Sequence, residues 1–138
     1  MKKTFLILTI LICSFDFNIH AQCGGDTKTT KPTSIGIVIY SNDIETVWNA
    51  LRFANFSIGT GDTVKIFLLG KGVELDTLAK NNSNIKEQTD LFLHTGGIIL
   101  GCGTCLQSRK NFMPQFCKMS SMSDLYDIVR KSKTVLTF

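Results

Sequence analysis

Histidine is nearly missing from this chain. His20 falls in the N-terminal segment, which leaves His94 alone in the rest. No Ser/His/Asp set can be built around it, and neither paired carboxylates nor a phosphate-cradling glycine loop can be assembled. Clustered basic charge is missing too. Fifteen Lys and Arg against eleven Asp and Glu give a net charge of +4, but the cations are scattered. Without a basic stripe interleaved with aromatics, nucleic-acid binding is not indicated. A bilayer-spanning run is also lacking. The apolar stretch from Phe5 is broken by Asp16, and a spanning helix needs about 20 apolar residues, so no transmembrane anchor is expected. Internal repeats and low-complexity segments are absent as well.

What is present begins with an export signal. Met1-Lys-Lys is a positive n-region, Phe5 to about Phe15 an apolar h-region, and a polar stretch leads to Ala21-Gln22. Residues 1–21 therefore read as a signal peptide, and the chain as exported to the periplasm or secreted. Cys23 offers lipid attachment as the alternative to plain cleavage after Ala21, although the bulky Gln22 before it disfavours lipoprotein processing. Residues 22–33 read as a flexible linker, rich in Thr and Lys from Asp26 to Lys31. The 117 residues after the signal suffice for one compact core. They carry a net charge of +3 once Lys2, Lys3 and Asp16 are left out.

The remainder, 34–138, alternates strand and helix. Ile35-Gly-Ile-Val-Ile-Tyr40 is a buried strand, and Asn42 with Glu45 forms a capping box for an amphipathic helix over about 44–58. Gly59-Thr-Gly-Asp62 stops that helix. Thr63 to Leu69 is the second strand, Gly70-Lys-Gly72 the turn out of it, and Val73 to about Lys80 a short helix. Asn84 caps a helix over 85–95 that ends at Gly96-Gly97. Ile98, Ile99 and Leu100 form a third strand. Residues 111–119, interrupted by Pro114, carry no clear pattern. Ser123 caps a last helix through Lys133, with Leu125, Ile128 and Val129 facing inward, and Thr134 to Phe138 is a final strand. Parallel strands need crossover connections, so this alternation specifies an α/β fold: a single three-layer domain with a mostly parallel sheet and helices on both faces. Tyr40-Ser-Asn42, Gly70-Lys-Gly72 and Cys102 to Cys105 all follow strands. They fall on one carboxyl edge, where open α/β sheets place ligands.

The cysteines are the chemistry-bearing residues. Without Cys13 of the signal, Cys23, Cys102, Cys105 and Cys117 remain, three of them within 16 positions. Such spacing suits a reactive or metal site better than a stapled framework. In Leu100-Gly-Cys-Gly-Thr-Cys-Leu-Gln-Ser-Arg109 the thiols sit where a buried strand ends, with glycines for close approach and a helix starting at Leu106. The helix dipole, with Arg109 and Lys110 nearby in sequence, is expected to favour thiolate over thiol. Alternatives stand beside this reading: a structural disulfide, or zinc held by Cys102, Cys105, Cys117 and His94. Cys117 reads as a small buried residue close enough in sequence to exchange with Cys105, and His94 as a helix-end residue. Arg109 either steadies a thiolate or is a solvated helix residue. Lys71 is a turn lysine or an anion-attracting one. Trp48 and the phenylalanines are core or subunit contacts.

The strand-to-cysteine segment Leu100 to Arg109, the glycine-bounded Gly70-Lys-Gly-Val-Glu-Leu75 and the terminal Ser132 to Phe138 together resemble the DsrE/DsrF-like family over about residues 35–138. The resemblance implies a mainly parallel sheet of about five strands and assembly as a homotrimer or homohexamer. It also implies a sulfur-relay role with sulfur donor and acceptor proteins or small thiols as partners. Cys102 occupies the persulfide-carrying position and Cys105 matches a second cysteine found in part of the family. No bound cofactor or metal is implied, the sulfur being held covalently. The relay carriers of that family work mostly in the cytoplasm, whereas this chain begins with an export signal. A resting Cys102/Cys105 disulfide, in a non-catalytic binding or assembly module, is the competing reading.

Overall fold

The computed structural model describes residues 31–138. The expected signal peptide, the lipidation alternative at Cys23 and most of the expected linker lie outside the described residues. Five strands form one sheet in the order β4-β3-β2-β1-β5, and every neighbouring pair is parallel. In chain order, β1 is Ser34–Ile39, α1 Ile44–Gly59, β2 Thr63–Leu68 and α2 Leu75–Asn81, the last preceded by a 3-10 turn over Gly70–Glu74. Then come α3 Ser83–His94, β3 Ile98–Cys102, α4 Gly103–Ser108, β4 Lys118–Ser120, α5 Met122–Lys131 and β5 Thr134–Thr137. No helix among the described residues is long and apolar enough to cross a membrane.

The topology places the helices. From β1 to β4 the chain marches one way across the sheet, so right-handed crossovers put α1, α2, α3 and α4 on one face. Between β4 and β5 it jumps back to the far side of β1, and the same handedness sends α5 to the other face. The three layers are therefore unevenly filled. Ile37, Ile39, Ile66, Phe67, Leu68, Leu51 and Phe92 form the fully buried centre, each large aliphatic or aromatic side chain contributing about 1.5–3 kcal/mol relative to exposure. Where the 3-10 turn crosses the end of β1, contact is main chain on main chain. A Cβ on Gly72 would come 2.0 Å from the Ile39 carbonyl oxygen, so only glycine fits.

Local details depart from the sequence expectations. The α1 cap is Asp43, whose Oδ1 accepts the Thr46 N–H at 2.8 Å, because Asn42 is committed to Glu74 instead. Asn82, not Asn84, caps α3 by accepting from Asn84 and Ile85. Ser121, not Ser123, forms the capping box of α5 with Asp124. Helix α5 ends at Lys131, and Val129 is 49% exposed, so only Ile128 of its inward-facing set is buried. Strand β4 begins inside the stretch without a pattern. Only pairing with Leu100 to Cys102 holds its three residues extended.

Candidate functional site

Strand β3 lies inside the sheet between β2 and β4 and ends at Cys102, and the chain turns there at once into α4. Cys102 is the N-cap: its Sγ accepts the Cys105 N–H at 3.4 Å. The helix thus starts three residues earlier than Leu106, which brings Cys105 into its first turn. Residues three apart on a helix are neighbours, about 5–6 Å between Cβ atoms, and this places the two thiols side by side. Gly101 serves close approach rather than an unusual backbone angle. A Cβ there would lie 2.7 Å from Cys117 Sγ and 3.1 Å from Leu106 Cδ1.

The two thiols differ in surroundings. Cys102 is 5% exposed and belongs to the apolar core, whereas Cys105 is only half-buried. The expected thiolate at Cys102 is not what this site favours. Burial pushes its thiol above the ordinary range, the neighbouring Cys105 thiol adds to the rise, and the amides of Cys105 and Thr104 offset it in part. Desolvation outweighs the pull of a six-residue helix. Cys117 is half-buried against Gly101 and Leu106, with its thiol pushed up to about 12 by burial and by the charge of Asp76. All three are free thiols.

Arg109 closes α4 and turns back over it. Its Nε donates to Glu74 Oε1 at 2.8 Å, and its Nη1 donates to the Cys105 carbonyl oxygen at 3.2 Å and to Ser108 Oγ at 3.3 Å. The guanidinium therefore reaches the cysteine through its main chain and is matched by a carboxylate. Glu74 also accepts from Asn42 Nδ2 at 2.9 Å. Arg109 first, then Asn42, with the charge of Lys71 adding less, holds its carboxyl below the usual range. Asn42, Lys71, Glu74, Arg109 and the cysteine turn thus meet on the carboxyl edge expected from sequence. The zinc set does not meet. His94 is exposed at the opposite end of β3, and among the described residues no three His, Cys, Asp or Glu side chains are close enough to hold a metal.

Two supports of this edge are not visible in the sequence. Glu74 is 35 positions from Arg109. Asp76 accepts from Asn111 Nδ2 at 3.0 Å and from the amides of Gln115 and Phe116 at 2.9 and 3.2 Å, pinning the loop after α4. The topology then adds a crevice. β3 leaves the sheet toward one face through α4 and its neighbour β4 toward the other through α5, so the switch point of the sheet lies between their carboxyl ends. An open groove occupies that point, lined by Gly103, Thr104, Gln107, Met119, Ser120 and Met122.

No family model matches the chain. Two curated archaeal proteins do. Uncharacterized protein MJ0989 of Methanocaldococcus jannaschii is 31% identical over 100 residues, 68% of this chain and 88% of its own length. Uncharacterized protein MK0008 of Methanopyrus kandleri is 30% identical over 100 residues, 68% of this chain and 83% of its own. Among solved structures, the ychN protein from E. coli superposes with a TM-score of 0.68 at 17% identity, covering 78% of this chain and 100% of that one. The conserved protein of unknown function BT1422 from Bacteroides thetaiotaomicron gives 0.65 at 18% identity, with 77% and 95% covered. The chain belongs to the family of these two archaeal proteins, and its fold is the DsrE/DsrF-like one.

Proposed function

We propose that this protein carries sulfane sulfur between partners as a persulfide on the Cys102/Cys105 pair. The supporting observation is the placement of two adjacent free thiols at the end of β3, beside the groove at the switch point of the sheet. A carrier needs a sulfur nucleophile that a donor can reach and a neighbouring thiol that can release the cargo, and this turn supplies both. The DsrE/DsrF-like fold agrees with a sulfur-relay role. The cargo is held covalently, so the reading calls for no cofactor. The partners are donor and acceptor proteins or small thiols.

The protein is proposed to act outside the cytoplasm after removal of residues 1–21, and to assemble as a homotrimer or homohexamer. For assembly, the support is an exposed apolar row on α5, with Met122, Tyr126 and Val129 at 58%, 63% and 49% exposure. Export is checked by the N-terminal residue of the secreted product: Gln22 agrees, a lipid-modified Cys23 points to the membrane surface, and Met1 rejects export. The carrier role is checked by incubating reduced full-length protein with an alkyl persulfide and weighing it. One extra sulfur atom, or its release as sulfide, is expected from the natural chain and neither from the double variant C102A/C105A. A natural chain that does neither rules the role out.

A further inference from the structure

Resting on the carrier reading, we infer that the thiols divide the work in a fixed order: Cys105 takes sulfur from the donor, and the buried Cys102 discharges it as sulfide. Geometry sets this order. A donor persulfide must approach a thiolate along the axis of its S–S bond, which requires open space on the attacking sulfur. Cys102 has little, being 5% exposed among core side chains with its Sγ already taking the Cys105 N–H. An added sulfur there would have to enter a packed core, and overpacking is costly. Cys105, half-buried on the first turn of α4, is the more open of the two sulfurs and the one a donor reaches first.

The chemistry balances in two steps. First, the Cys105 thiolate attacks the outer sulfur of a donor R–S–SH. The donor S–S bond breaks, the donor leaves as RS⁻ and takes up the proton that Cys105 gave up, and Cys105 becomes S–SH. Second, the Cys102 sulfur attacks Cys105 Sγ, the inner sulfur. The Cys102–Cys105 bond forms, the outer sulfur leaves as HS⁻, and the Cys102 proton passes to solvent. Two thiol sulfurs are oxidised to a disulfide while the sulfane sulfur is reduced to sulfide. An external dithiol then reopens the bridge by exchange. Burial of Cys102, which disfavours its thiolate, slows this second step.

Reduced full-length protein treated with glutathione persulfide tests the order, by intact mass together with sulfide release. The natural chain should release sulfide and end two hydrogens lighter. C102S should keep one added sulfur and release none, and C105S should do neither. Loading of C105S to the level of C102S overturns the order while leaving the carrier role standing, whereas absence of loading in every form removes the carrier role itself. A second measurement on the unaltered protein avoids dependence on variant folding. Timed alkylation with iodoacetamide should label Cys105 before Cys102, and the reverse sequence overturns the inference.

Discussion

At the scale of single residues, burial sets how each thiol behaves more than its place in the sequence does. Cys117 shows the effect on stability. Its folded value near 12 lies above the ordinary 9.0, so the unfolded chain gives up this proton first as pH rises. The unfolded state then binds fewer protons, and stability present below pH 9 is lost progressively toward 12, at no more than about 1.4 kcal/mol per pH unit. Urea melts from pH 8 to 11 should show a steeper decline for the natural chain than for C117A, and parallel curves would contradict this. The place of Cys102 and Cys105 at the end of β3 was legible because two thiols three apart at the end of an apolar run have a local signature. Glu74 and Asp76 were not, since their partners lie 35 to 40 positions away and carboxylates carry no mark of what they will bind. The Cys102 thiolate expected from charge and helix position fails for a related reason. Sequence shows the nearby cations but not the carboxylate that occupies Arg109 or the core that surrounds the sulfur.

Among elements, those with strong periodicity were readable and those held by their neighbours were not. β1, β2 and α1 appear in the sequence within a residue or two of their observed bounds, because their apolar spacing alone selects them. β4, a three-residue strand of Lys118, Met119 and Ser120, has no alternation and exists through its ladder to β3. The loop between α4 and β4 is of the same kind. It presents Phe112 and Met113 at 65% and 91% exposure, yet it is fixed at its base by three hydrogen bonds to one carboxylate. Replacing Asp76 by Ala should cost about 1–3 kcal/mol and should speed hydrogen exchange at the Gln115 and Phe116 amides, with the protection of β1 and β2 unchanged. Unaltered exchange at those two amides would show that the loop is held by something else.

For the whole molecule, the uneven filling of the two faces is the dominant feature. A parallel sheet is normally covered on both sides, but here only α5 packs on the second face, where Ile98 stays 40% exposed. If the apolar row on α5 is the assembly contact, Tyr126→Glu should lower the mass seen by light scattering to that of one chain with the circular dichroism spectrum intact. An unchanged assembly would place the contact elsewhere. The layered architecture was evident from alternation alone, while its lopsidedness was not, because strand order cannot be read from composition. That order has a further consequence, for the timing of folding. β5 closes the sheet against β1, and Ser34 and Lys133, which bond where the two strands begin, stand 99 positions apart. One side of the first strand therefore stays unzipped until a segment 99 positions along the chain is brought back to it, which makes closure of this flank a long-range step of folding.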